Sequence, residues 1–141
     1  MRRTAVDFIK SIAIAASGLR AQAGRMRVIS ENIANADSTA PTPGADPYRR
    51  KIPTFQNEVD KTLDASVVKL GRLRADQSEF RLKHEPGHPS ADENGNVKYP
   101  NVNTLVEMMD MREAQRSYEA NVNVIGASRR MIARTLDILK S

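Results

Sequence analysis

Stepping alternately four and three residues from Ala5 gives Ala5, Ile9, Ile12, Ala16, Leu19, Ala23, Met26, Ser30 and Ile33, and only Ser30 is polar. A hydrophobic repeat of this kind belongs to a helix that shows one narrow seam to a partner helix. The same steps from Met108 give Met111, Gln115, Tyr118, Val122, Ile125, Arg129, Ile132, Leu136 and Leu139, broken only by Gln115 and Arg129. The pattern predicts two long helical arms, over residues 1–36 and 101–141. Thr4 followed by Asp7 reads as an N-cap with an acid in the first turn. Asn35-Ala36-Asp37-Ser38, then Pro41 and Pro43, stops the first helix. Thr104 with Glu107 has the spacing of a capping box, each side chain satisfying an orphan amide of the other.

The middle, residues 37–100, differs in kind. Residues 38–47 hold three prolines and no apolar period, as an extended loop does. Val67 to Leu73 and Phe80 to Glu85 alternate as strands do. Asn94-Gly95 is a strong hairpin-turn signal. The expected fold is therefore mainly α: two long terminal helices packed as a coiled-coil-like pair, with an extended loop and a small β-hairpin element inserted between them.

Length bears on the architecture. At about 1.5 Å per residue the arms would run roughly 43 and 55 Å, whereas a compact globule of this chain length is about 37 Å across. Each arm thus needs a partner along most of its seam, and the cheapest partner is the other arm. Two helices bury only one stripe each, and Ala16, Ala23, Ser30 and Gln115 contribute little transfer free energy. Small side chains do let backbones approach closely. The arms are expected to be marginal alone and to become ordered against other chains.

Composition narrows the chemistry. The 141 residues carry a net charge of +5 and no cysteine, which excludes disulfides, thiolate metal sites and cysteine nucleophiles. Residues 1–36 hold six Lys/Arg against two Asp/Glu, residues 37–100 ten against ten, and residues 101–141 six against five. The N-terminal excess spreads over the polar side of the first helix, as a solvated face does. A basic helical nucleic-acid-binding protein is the alternative reading; the neutral middle and an aromatic content of 4% weigh against it. The basic run Arg49-Arg50-Lys51 reads as a surface loop, with a contact to nucleic acid or to another subunit as the alternatives. No run approaches the roughly 20 apolar residues of a membrane span, and the N-terminus lacks a signal peptide. Pro86 and Gly87 separate His84 from His88, and Asp92-Glu93-Asn94-Gly95-Asn96 places its glycine wrongly for a calcium loop. The Met108, Met109, Met111 cluster reads as packing. No phosphate loop or nucleophile elbow is present, so neither an enzyme nor a cofactor is expected.

Ala16-Ser17-Gly18-Leu19-Arg20-Ala21-Gln22, Arg25 and Asn32-Ile33-Ala34-Asn35-Ala36 resemble the N-terminal signature of bacterial flagellar rod and hook axial proteins. Tyr48-Arg49-Arg50-Lys51, Glu85-Pro86-Gly87-His88-Pro89-Ser90-Ala91-Asp92, Gly95-Asn96-Val97 and Tyr99-Pro100-Asn101-Val102-Asn103 add a likeness to the proximal-rod members. Glu107-Met108-Met109-Asp110-Met111 and Arg116-Ser117-Tyr118-Glu119-Ala120-Asn121-Val122 complete it. Asn96 stands where relatives carry an aromatic residue. The resemblance implies a structural subunit of the basal-body rod, exported by the flagellar type III apparatus without a cleaved signal. It would polymerise in the periplasm-spanning rod, with both terminal helices in the inner layer around the export channel. Implied partners are further copies, other proximal and distal rod proteins and the MS-ring–rod junction protein, with no nucleic acid and no membrane insertion. Expected helix-packing and assembly residues are Ile12, Ala16, Leu19, Ala23, Met26 and Ile33 on the first arm. On the second they are Met108, Met111, Tyr118, Val122, Ile125, Ile132 and Leu136. Asn32, Asn35 and Asn121 are expected to set register.

Overall fold

A computed structural model describes residues 2–140, with side chains from Val6 onward. Helix α1 runs over Arg2–Ala34 and helix α2 over Thr104–Lys140, with three small antiparallel strand pairs between them. The fold is mainly helical, with the two helices packed on each other. Because α1 already includes Arg2, Thr4 lies inside the helix and does not precede it as a cap; the side chains of Thr4 and Ala5 lie outside the described part. The stop signal acts as expected: Asn35 Nδ2 donates to the Glu31 carbonyl at 2.8 Å and Ser38 Oγ to the Asn35 carbonyl at 2.9 Å. The start of α2 is corrected. Asn103 is its cap, accepting the amides of Leu105 and Val106 at 3.1 and 3.4 Å on Oδ1, while Glu107 points elsewhere. Asparagine is as good an N-cap as any residue, and it sits one position nearer the loop than Thr104.

The chain divides into two compact units, and each takes a piece of both helices. The first comprises residues 1–26, 55–71 and 113–141. Its helices run antiparallel. Gly18 abuts Asn121, whose Nδ2 would lie 2.8 Å from an added Cβ, and one heptad on Arg25 reaches back to Glu113 at 3.5 Å. The residues buried here are small: Ala15, Ser17, Gly18 and Ala21 on α1, Ala114 and Ser128 on α2. Strands β2 (Phe55–Asp60) and β3 (Ala65–Leu70) form a hairpin against a third face of α1. It touches α1 every seven residues: Asp64 meets Lys10 at 3.9 Å, the Val68 amide donates to Ser17 Oγ at 3.1 Å, and Leu70 covers Gly24. Asp60 Oδ1 caps the turn by accepting the amides of Thr62 and Leu63 at 2.9 and 3.2 Å. Strand β3 matches most of the alternation at Val67 to Leu73. Strand β2 has no clear signal in the sequence, since Asn57 interrupts the alternation between Phe55 and Val59.

The second unit comprises residues 27–54 and 72–112. Here burial is substantial. Val28, Ile29, Ala36, Ala40, Val97 and Val102 are all buried, with Pro100 among the most enclosed side chains. Strand β1 (Lys51–Ile52) pairs with β4 (Arg74–Ala75), and β5 (Arg81–His84) with β6 (Asn96–Tyr99). The strands expected around Asn94-Gly95 do pair, but not through a two-residue turn, because β5 and β6 enclose residues 85–95. Asp92 organises that loop by accepting the amides of Asn94 and Asn96 on Oδ1 at 2.9 and 2.8 Å. Gly95 closes it at φ 77°, where a Cβ would meet His84 and Pro86 at 3.0 Å. Side chains rarely adopt that conformation, and here there is no room for one.

Candidate functional site

The residues singled out separately as a register asparagine and as a basic loop converge on one point of the second unit. Asn32 is fully buried. Its Oδ1 accepts the Lys51 amide at 3.0 Å and the Tyr48 hydroxyl at 2.8 Å. Its Nδ2 donates to the Lys51 carbonyl at 2.9 Å and to Glu107 Oε2 at 3.1 Å. A single carboxamide thereby reads both polar groups of one backbone residue, as a neighbouring strand would, and ties it to α2. Asn101 plays the corresponding part opposite, accepting the Arg50 amide at 2.7 Å and donating to the Asp76 carbonyl at 3.0 Å.

Arg50 closes the cluster. Its Nε donates to Glu107 Oε1 at 2.5 Å, and its terminal nitrogens reach Asp76 at 3.5 Å and Asp110 at 3.7 Å. Glu107 is 1% exposed, so its charge is satisfied by this guanidinium and by Asn32 or not at all. Burial alone would lower the Arg50 pKa, but the bond and charge of Glu107, with Asp76, turn the balance upward. Asp76 is held below the usual carboxylate range, first by the amide and hydroxyl of Ser78 and then by Arg50. Lys51 pairs with Glu31, and Arg49 stacks over Phe80 at 4.2 Å. The basic run is therefore neither a solvated loop nor a free cationic patch. It is an internal clamp, which sequence reasoning missed because its acidic partners Glu107 and Asp110 lie far along the chain, on α2.

Burial pushes the Tyr48 hydroxyl up to about 12, with Glu31 and Glu107 adding to the shift. A raised phenol pKa contributes stability that is complete below the unfolded-state value near 10 and is lost as pH climbs toward 12. Urea unfolding followed from pH 8 to 11.5 is expected to show an alkaline loss of stability in the parent chain that is smaller in Tyr48→Phe.

The remaining singled-out residues fall into two sets. Pro86, Gly87, His88, Pro89, Asp92, Gly95 and Pro100 shape the loop over β5 and β6, where His88 Nδ1 accepts the Ser90 amide at 3.0 Å and Ser90 Oγ donates to the Ala40 carbonyl. His84 faces Asn96, Nδ1 to Oδ1 at 3.3 Å, in the position the resemblance gives to an aromatic. Among the described residues no group of three or more His, Asp or Glu is placed to hold a metal ion. The helix residues form the second set. On α1 the contact with α2 passes through Gly18 and Arg25, one residue before the expected Leu19 and Met26, and Ala15 is buried beside the expected Ala16. That offset turns the helix by about 100°. Ala23 is exposed, while Ile12, Ala16, Leu19, Met26 and Ile33 are half-buried on an adjoining face. On α2, Met111, Tyr118, Ile125 and Ile132 are half-buried, whereas Met108, Val122 and Leu136 are 51%, 45% and 52% exposed. Glu107, Ala114, Asn121 and Ser128 occupy the inner places beside them. Hydrophobic period marks a face that wants a partner, but it does not say whether that partner lies in the same chain. Asn35 and Asn121 bond carbonyls of their own helices, at Glu31 and Ser117, and the Asn121 side chain lies over Gly18 of α1.

Two long helices carrying half-used apolar faces, joined by an internally clamped insert, define a mainly helical chain with apolar surface to spare, and comparison with known proteins gives its family. The model described as "Flagella basal body rod protein" matches residues 12–41, and "Flagellar basal body rod FlgEFG protein C-terminal" matches residues 93–138. The flagellar basal-body rod protein FlgC of Agrobacterium fabrum is 55% identical over 91% of this chain and 92% of its own. That of Borreliella burgdorferi is 41% identical over 96% and 99%, and that of Salmonella typhimurium 40% over 89% and 92%. The chain belongs to the FlgC family of flagellar basal-body rod proteins. It is a structural subunit of the rod, placed in the flagellar basal body and assembling with other rod components. No helix among the described residues is long and apolar enough to cross a membrane.

Proposed function

We propose that this subunit builds the proximal part of the rod, joining further copies of itself and other rod proteins into a shaft that transmits torque and encloses the export channel. Neighbours at the MS-ring–rod junction and the distal rod, delivery by the type III export apparatus without a cleaved signal, and a periplasm-spanning position belong to the same reading. So does a non-enzymatic role. The observation that carries it is the division of apolar residues. The interior of the first unit is alanine, glycine and serine, while Ile9, Val122, Val124, Met131 and Leu136 are 54%, 45%, 46%, 51% and 52% exposed. Large side chains left outside a thin contact favour neighbours that cover them, and faces on both helices suit a coiled-coil-like layer extended from copy to copy.

The same division supports a folding order. The second unit has its own core and clamp and is stable in the free chain. The long helical stretches of the first unit, with little to bury, gain order on assembly, which suits a chain that travels unfolded. Deleting the chain from a flagellated cell and isolating basal bodies tests the placement. The expected product is a ring complex that lacks the rod and the structures beyond it; a complete rod would contradict the reading.

A further inference from the structure

We propose that the α2 face carrying Arg116, Arg130 and Arg134 is the docking surface for the β2–β3 hairpin of a second copy of this chain; the proposal rests on the rod reading and names one contact within it. At 100° per residue the three arginines fall within about 40° of one another, on the side roughly opposite Ala114, Asn121 and Ser128. All three are exposed, and none makes an ion pair among the described residues. Val124 and Met131, 46% and 51% exposed, lie about 60–120° round the helix from them, and Glu119 and Asp137 share the arc of the arginines. A helix face that mixes unpaired guanidiniums with aliphatic side chains fits a surface that is both acidic and apolar.

Strand β2 offers both along one edge, its acids on one face of the hairpin and its apolar residues on the other. It carries Glu58 and Asp60 and no basic residue, and its Phe55 and Val59 are 43% and 63% exposed. Among the described residues its backbone pairs on one side alone, with β3. The Val68 amide points out of the hairpin to Ser17 Oγ, so β3 turns its outer edge to α1. Asn57 stands opposite Val68, and by the antiparallel alternation the backbone groups of Phe55, Asn57 and Val59 line the other, open edge. Edges of this kind are normally covered. The Glu58–Lys69 pair, 3.1 Å apart and exposed on both sides, holds Glu58 only weakly and can yield to an arginine. Hairpin and arginine face are different surfaces of one chain. Their union is therefore head-to-tail, the kind of contact that can pass from copy to copy around a rod.

The test uses full-length chains in a cell lacking its own copy, read by the amount incorporated into purified basal bodies. Arg130→Glu with Arg134→Glu, and separately Glu58→Arg, which leaves the Asp60 turn cap intact, are each expected to lower incorporation at least tenfold. Combining them is expected to restore it. Because the chain has no cysteine, Val59→Cys with Met131→Cys is expected to give an oxidative cross-link between two copies in assembled rods. Charge reversals without effect, a combination that does not restore, or a cross-link to a different rod protein would overturn the docking. An unaltered chain that fails to restore motility would instead sink the rod reading.

Discussion

Arg50→Ala is expected to unfold the second unit. The substitution leaves the Glu107 carboxyl 1% exposed, with the Asn32 amide as its remaining bond in the cluster. Stranding one partner of a buried ion pair costs about 3–5 kcal/mol, a large part of the roughly 5–15 kcal/mol that holds a domain together. The loss extends beyond the pair, because Arg50 also reaches Asp76 and Asp110 and its amide is read by Asn101. Urea unfolding of Arg50→Ala, Glu107→Ala and the double variant separates the contributions. The double variant should be less destabilised than the two single losses added together, since each single change already removes the same bond. Strict additivity would mean that Arg50 and Glu107 act independently and that the clamp is not a unit.

Leu19→Asp is expected to abolish incorporation into the rod while leaving the soluble chain's second unit intact. Leu19 is half-buried beside the Gly18 contact and opposite the hairpin side of α1. An unpaired carboxylate in a covered apolar face costs about 3 kcal/mol or more, roughly 100-fold or more in association. The contrast with Arg50→Ala is the point of the pair: one variant fails to fold, the other folds and fails to join. The measurements are the urea midpoint of the soluble chain and the subunit content of purified basal bodies. Normal motility in Leu19→Asp would remove this face from the assembly.

Helix content was legible because a 3.5-residue repeat, a proline-bounded loop and asparagine or serine at the ends are local signals. What escaped was relational. The period at Leu19 and Met26 marks an apolar face, but the contact with α2 falls one residue earlier, at Gly18, where the lack of a side chain lets the helices close in. On α2 half of the expected stripe, Met111, Tyr118, Ile125 and Ile132, adjoins the inner contact, and the other half steps back by one residue to Ala114, Asn121 and Ser128. Glu107 looked like the reciprocal half of a capping box; its true partner, Arg50, is fixed only by the folded loop. Asn32 was legible as a buried polar residue but not as the reader of Lys51, for the same reason. Asn94-Gly95 announced a turn whose Gly95 does need positive φ, yet Asp92 and two prolines made the connection longer than a tight hairpin.

The central claim is that order in the free chain stops inside both helices and not at their ends. Amide hydrogen exchange on the soluble full-length chain, compared with assembled rods, tests this most directly. Residues 27–34 and 104–112 are expected to be protected together with the rest of the second unit. Residues 6–26 and 113–140 should exchange quickly in solution and slowly in the rod. Uniform protection along α1 and α2 in the free chain would contradict the account, because the helices would then be satisfied before any neighbour arrived.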